Sequence, residues 1–219
     1  MTTQSFGGNI QFSDPVSGNA IRVAGTPTTS SGIIPQVIGY LSAPGTNNNT
    51  TAAQTDLLAG GTAVPALSTL SGHVGFSIAP NVLTAGKYLR LKCFGTYTTN
   101  GATATITPSL LFNTAAASVV IATGEASGTF ATAAGPFSWS LEVIIYMLSA
   151  TNVVTSGSML LGGANPATTV SGNPGINSVA AGVAIVGTSA GNICPTWTGS
   201  SNNAANTFQC LGGTLEILN

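Results

Sequence analysis

Charge is what this chain has least of. Four basic and five acidic residues leave only 4% of its 219 positions charged, where an ordinary soluble domain carries roughly 25%. No basic stripe exists that could release counterions from a polyanion, which excludes nucleic acid as a partner. Arg90 and Lys92, with Lys87 nearby, are the only cationic cluster, and they read as the wet face of a strand. Long hydrophobic runs are missing too. The longest, around VAAGVAIVG and VIIYML, fall below the ~18 residues of a membrane-spanning helix, so no membrane partner is expected. The opening MTTQSFGGN lacks the basic start and apolar core of a secretory leader, and the chain reads as made in the cytoplasm. There is one histidine, His73, and three cysteines, Cys93, Cys194 and Cys210, with no C-x-x-C spacing. One histidine cannot complete a zinc set with them, and free buried thiols are expected in preference to a Cys194–Cys210 bridge. Asp14 and Asp56 are isolated, so no calcium loop is encoded. No metal and no cofactor is expected.

What replaces charge is Thr, Ser, Asn, Ala and 28 glycines, with 43% hydrophobic residues, enough for one sizeable domain. Hydroxyls and amides wet such a surface, but they do not keep copies apart as net charge does. The composition suits a part that spends its life assembled, or an extracellular module.

The first third differs from the rest. From Thr26 to Ala66 prolines recur at 27, 35, 44 and 65, a polar tract fills 46–55, and no period of 3.6 or 2 persists. Isolated apolar spots (Ile33-Ile34, Val37-Ile38, Leu57-Leu58) sit between these breakers. A solvated linker and an extended arm docking on a neighbouring subunit are the two readings. The regularity of the spots favours the arm. Residues 1–72 are therefore expected to be an extended N-terminal arm, with Ile33, Ile34, Val37, Ile38, Leu57 and Leu58 as intersubunit contacts.

From His73 onward the pattern is that of strands. His73–Ile78 alternates, as does Tyr88–Cys93, which places Leu89, Leu91 and Cys93 inward and Arg90 and Lys92 outward. Asn100-Gly101, between Thr-rich runs, has the chemistry of a type I′ hairpin turn. Phe137–Met147 is the clearest strand: Phe137, Trp139, Leu141, Val143, Ile145 and Met147 face one way, and Ser138, Ser140 and Glu142 the other. Further strands are expected at 118–122, 128–132, 157–161, 179–186 and 206–218. In the last, Phe208 and Cys210 have opposite parity to Leu215 and Ile217, so Gly212-Gly213 reads as a β-bulge. After residue 73 no long amphipathic helix is expected. The expected fold is all-β: an antiparallel β-sandwich of about eight strands over residues 73–219, folding without the arm.

Gly187-Thr-Ser-Ala-Gly191 matches the G-x-S-x-G of a hydrolase nucleophile elbow. An elbow needs a helix after the serine, and Pro195 discourages one. The order of groups fails as well, because His73 precedes Ser189, and Asp14 and Asp56 both precede His73. Glycoside hydrolysis needs two carboxylates in one cleft. Glu142 and Glu216 instead sit on the outward side of strands, and Glu125 stands apart. Trp139 belongs to a core face, and Trp197 reads as core or interface before sugar platform. The chain is expected not to be an enzyme.

Gly86-Lys-Tyr-Leu-Arg-Leu-Lys-Cys-Phe-Gly-Thr-Tyr-Thr-Thr99, the following strand ending in Leu110-Leu-Phe112, Gly135–Val143 and the closing Asn206–Asn219 together form a pattern. Over residues 73–219 it resembles the small jelly-roll virion proteins of tailed bacteriophages, described as decoration or cement proteins. The resemblance rests on strand pattern and aromatic positions. It implies a jelly roll, a homotrimer, the major capsid protein as partner, and a place on the capsid surface of the virion. A tail- or baseplate-associated jelly roll binding host-surface glycan is the alternative, and a lectin-like adhesive protein outside phages is a third.

Overall fold

In the computed structural model, residues 10–11, 22–23, 36–50, 52–99, 105–127, 134–162, 175–177, 182–200 and 202–218 are described. The chain forms two compact units, Met1–Ile34 and Pro35–Asn219. In the first, β1 (Ile10–Gln11) pairs antiparallel with β2 (Arg22–Val23). The second holds β3 (Gln36–Ala43), β4 (Asn48–Thr50), β5 (Thr55–Asp56), β6 (Thr62–Val64), β7 (Ser68–Leu70), β8 (His73–Ile78) and β9 (Tyr88–Thr99). It continues through β10 (Ile106–Thr114), β11 (Ser118–Gly124), β12 (Ala134–Ser149), β13 (Asn152–Leu161) and β14 (Gly175–Asn177). It ends with β15 (Val183–Ala184), β16 (Gly191–Gly199) and β17 (Asn203–Leu218). Among the described residues there is no helix.

The larger unit is an all-β antiparallel sandwich of jelly-roll-like character. Its strands run β6-β3-β17-β9-β12-β13-β14-β11-β10-β16-β8-β7, and the strip curls so that its two halves face one another. The short β14 pairs with both β13 and β11 and so turns the corner on one side. On the other side the Phe76 ring lies against Gly39, where a Cβ would come within 2.9 Å of it. The inner faces meet in one core containing Leu89, Leu91, Trp139, Val143 and Leu215 from one half and Phe76, Leu110, Phe112 and Ile193 from the other.

Alternation places these side chains. Trp139, Leu141, Val143, Ile145 and Met147 of β12 are buried, while Ser138, Ser140 and Glu142 face outward. The pleat of a strand allows no other arrangement once one face is buried. In β17 the register on β9 shifts between Cys210 and Gly212, so Leu211 is the extra residue, and Phe208, Cys210, Leu215 and Ile217 all reach the core. The strands expected at 118–122, 157–161 and 206–218 lie within β11, β13 and β17. Only Val183–Ala184 of 179–186 is a described strand, and 128–132 falls outside the described residues.

Three expectations need correction. First, the Asn100-Gly101 turn lies outside the described residues, but the strands around it are not a hairpin. Both edges of β9 are taken by β12 and β17, and β10 pairs with β11 and β16 in the other half. Second, the compact unit begins at Pro35, so the boundary at 72/73 moves to 34/35. Between 36 and 72 the chain supplies β3 beside β17, β6 beside β3, β5 beside β16 and β7 beside β8. Third, these short strands raise the number well above eight. Their two- to eight-residue length and intervening prolines hide any period from sequence.

Candidate functional site

The six arm residues are scattered. Ile33 and Ile34 lie outside the described residues. Leu57 and Leu58 are 2% and 0% exposed within the core of their own chain, so they are not intersubunit contacts. Ile38 packs partly against that core. Val37 alone is well exposed, at 51%.

Val37 belongs to a continuous outer surface. Cross-strand pairing puts Tyr40 beside Val64 and Thr214, and Thr214 beside Lys92, so these residues share the solvent face of β6, β3, β17 and β9. Phe94, 56% exposed, and the bulged Leu211 stand on the same face. Together with Val37, Tyr40, Leu41, Val64 and Pro65 they line an open apolar groove of about 770 Å³. Farther across the face, Leu160 and Tyr88 are also exposed. The charges on it are already matched. Arg90 Nε donates to Glu216 Oε2 at 2.7 Å, and Lys92 Nζ stands 3.7 Å from Glu142 Oε1. The face is therefore apolar and close to neutral. A bulge in this strand was legible in the sequence as a change of parity, but it was expected at Gly212-Gly213 and falls at Leu211, and its neighbours Val37, Tyr40 and Val64 were not legible.

A second constellation lies on the opposite half. β10 and β16 are buried on both faces: Phe112 and Ile193 point into the core, while Leu111–Cys194 and Asn113–Asn192 point away from it. Residues 52–74 cover that outer side. Gln54 Nε2 donates to Thr196 Oγ1 at 2.9 Å, and Leu57 N to Pro195 O at 2.9 Å. Asn192 Nδ2 donates to Ser68 O and His73 O, and Ser71 Oγ to Thr114 O. Beneath this strap Asp56, His73 and Cys194 meet, their ligand-type atoms all within 4.8 Å of one another. Asp56 Oδ1 is 2.8 Å from His73 Nδ1, and its Oδ2 accepts from Val74 N at 2.7 Å.

The surroundings of this trio favour the protonated thiol. Cys194 is fully buried, and its thiol is pushed far up, first by burial and then by the neighbouring Asp56 carboxylate, which accepts its hydrogen bond. A reactive cysteine needs the opposite, an adjacent imidazole and a stabilised thiolate. Here a carboxylate as well as an imidazole lies within 4.8 Å of the thiol. The other thiols are free and buried as expected, and Cys93 is pushed up by its hydrogen bond with Cys210 and by burial.

The remaining candidates resolve simply. Ser189 sits exposed in a turn closed by Ser189 N to Val186 O at 3.2 Å, and strand β16, not a helix, follows it. Glu125 and Glu142 are exposed, and Glu216 is held by Arg90. Trp197 is fully buried, with its ring centroid 4.8 Å from that of Phe208, so it cannot serve as a sugar platform. No described helix is long and apolar enough to cross a membrane.

No protein-family description and no curated protein matches this sequence. Among solved structures, one of infectious bursal disease virus, Gx strain, aligns with all of this chain at 9% identity and a TM-score of 0.30. The chain spans 50% of that protein's length. A likeness that slight transfers neither fold nor role.

Proposed function

We propose that this protein is a non-enzymatic virion structural component, a decoration or cement protein that seats as a homotrimer on the major capsid protein of a phage head. The observation that carries the proposal is the neutral apolar outer face around Phe94, Leu211, Tyr40 and Val64. Contiguous exposed apolar surface of this kind marks protein contact. With its few charges paired within the chain, the face has little to steer a transient encounter, and suits a lasting assembly whose partner is presented at high local density. The composition, with 4% charge, agrees. The glycan-binding alternative loses Trp197, its one named platform, to the core.

The test replaces Phe94 and Leu211 with Glu, singly and together. Both side chains are exposed, so the body stays folded by circular dichroism. The expected result is loss of trimer by light scattering and of co-sedimentation with capsids stripped of the protein. Variants that assemble and bind like the parent would remove this face from the proposal. A parent chain that is monomeric and ignores capsids would end the proposal itself.

A further inference from the structure

We propose that Asp56, His73 and Cys194 form a binding site for a zinc-class divalent cation, which pins the 52–74 strap onto β16. The three groups come from three different strands, β5, β8 and β16. They offer the carboxylate oxygen, imidazole nitrogen and thiolate sulfur that zinc accepts. Their atoms already lie within 4.8 Å of one another. Zinc–ligand bonds of ~2.0–2.3 Å place tetrahedral ligands roughly 3.3–3.8 Å apart. The 2.8 Å separation of Asp56 Oδ1 and His73 Nδ1 must therefore open by roughly half an ångström when the ion enters.

The surroundings favour such a set. Asp56 Oδ2 is oriented by the Val74 amide, a fixed outer partner of the type that positions metal ligands. His73 and Asp56 side chains remain 23% and 11% exposed, which leaves an entry path from solvent. Binding expels one proton, from the Cys194 thiol. The imidazole keeps its own by moving it from Nδ1 to Nε2. A dication then faces one carboxylate and one thiolate, so the buried group of charges sums to zero. Without the ion, a thiolate beside Asp56 would be two like charges out of water.

The experiment uses the full chain, treated with chelator and then given Co²⁺ or Zn²⁺. Co²⁺ should produce a thiolate-to-metal absorption band, at one ion per chain. Zn²⁺ at about one hundred times its dissociation constant should raise the thermal midpoint by roughly 5–10 °C. Both effects should vanish in Cys194→Ser and persist in Cys93→Ser, which controls for the other buried thiols. If Cys194→Ser does not fold, His73→Gln makes the same test through a partly exposed ligand. A parent chain with neither band nor midpoint shift would reduce the trio to a hydrogen-bonded strut. A band that survives Cys194→Ser would place the ion elsewhere. Either result overturns the inference.

Discussion

Cutting the chain at two places tests whether residues 36–72 belong to the sandwich. Removal of residues 1–34 takes away the smaller compact unit and, among the described residues, breaks no ladder of the 35–219 sandwich. Removal of 1–72 takes β3 from the edge of β17 and strips the cover from β16. Leu57 and Leu58 leave the core with it. Losing a buried leucine side chain costs ~2–5 kcal/mol, so the pair accounts for ~4–10 kcal/mol. Buried Asn192 and Thr196 each lose one hydrogen bond, to Ser68 O and from Gln54, at ~0.5–1.5 kcal/mol each, while Asn192 keeps His73 O and Thr196 keeps Ser109 O. The sum, ~5–13 kcal/mol, is comparable with the ~5–15 kcal/mol that keeps a domain folded. In urea, followed by far-ultraviolet circular dichroism, the 35–219 protein should unfold in one cooperative step, and the 73–219 protein should show none. A 73–219 protein with the same transition midpoint would refute the strap and restore the arm.

Other substitutions test the faces of the sheet. Trp139→Ala should cost ~3–5 kcal/mol in urea denaturation, because the side chain fills the core and its Nε1 donates to Thr96 O and Gln209 O at 3.2 Å. Arg90→Ala, outward on the neighbouring strand, should cost ~1–3 kcal/mol, since it strands the mostly buried Glu216 carboxylate. That is more than the ~0.5 kcal/mol of an ordinary surface change. A larger loss in Arg90→Ala than in Trp139→Ala would mean that the faces are wrongly assigned. Gly95→Ala should lower stability by at least about 2 kcal/mol, because a Cβ there meets the Trp139 ring at 2.8 Å and Gln209 O closer still. A midpoint at the parent value would show that the ladder yields at this point. Ser189→Ala should change stability by less than about 0.5 kcal/mol and abolish no activity. An esterase or protease activity lost in that variant would overturn the non-enzymatic reading.

Alternation is a local property, and what is local was legible in the sequence. The burial of Trp139, Val143 and Met147, the outward Arg90 and Lys92, and the bulge in β17 all follow from period-two spacing within one strand. Charge scarcity, free thiols and the failure of the Ser189 motif needed no more than composition and order. Strand pairing is a different matter, because two strands meet only if neither has a better partner elsewhere. Asn100-Gly101 has hairpin chemistry, yet β9 is claimed by β12 and β17, so tertiary structure decided against the local signal. The strap escaped notice for a related reason. Strands of two or three residues between prolines carry no period, and Leu57 and Leu58 look stray until β16 lies beneath them. The apolar groove and the Asp56–His73–Cys194 cluster depend wholly on that packing. Their residues are distant in sequence, and only the lateral pairing of β6, β3, β17 and β9 in one case, and of β5 and β8 with β16 in the other, brings them within reach of one another.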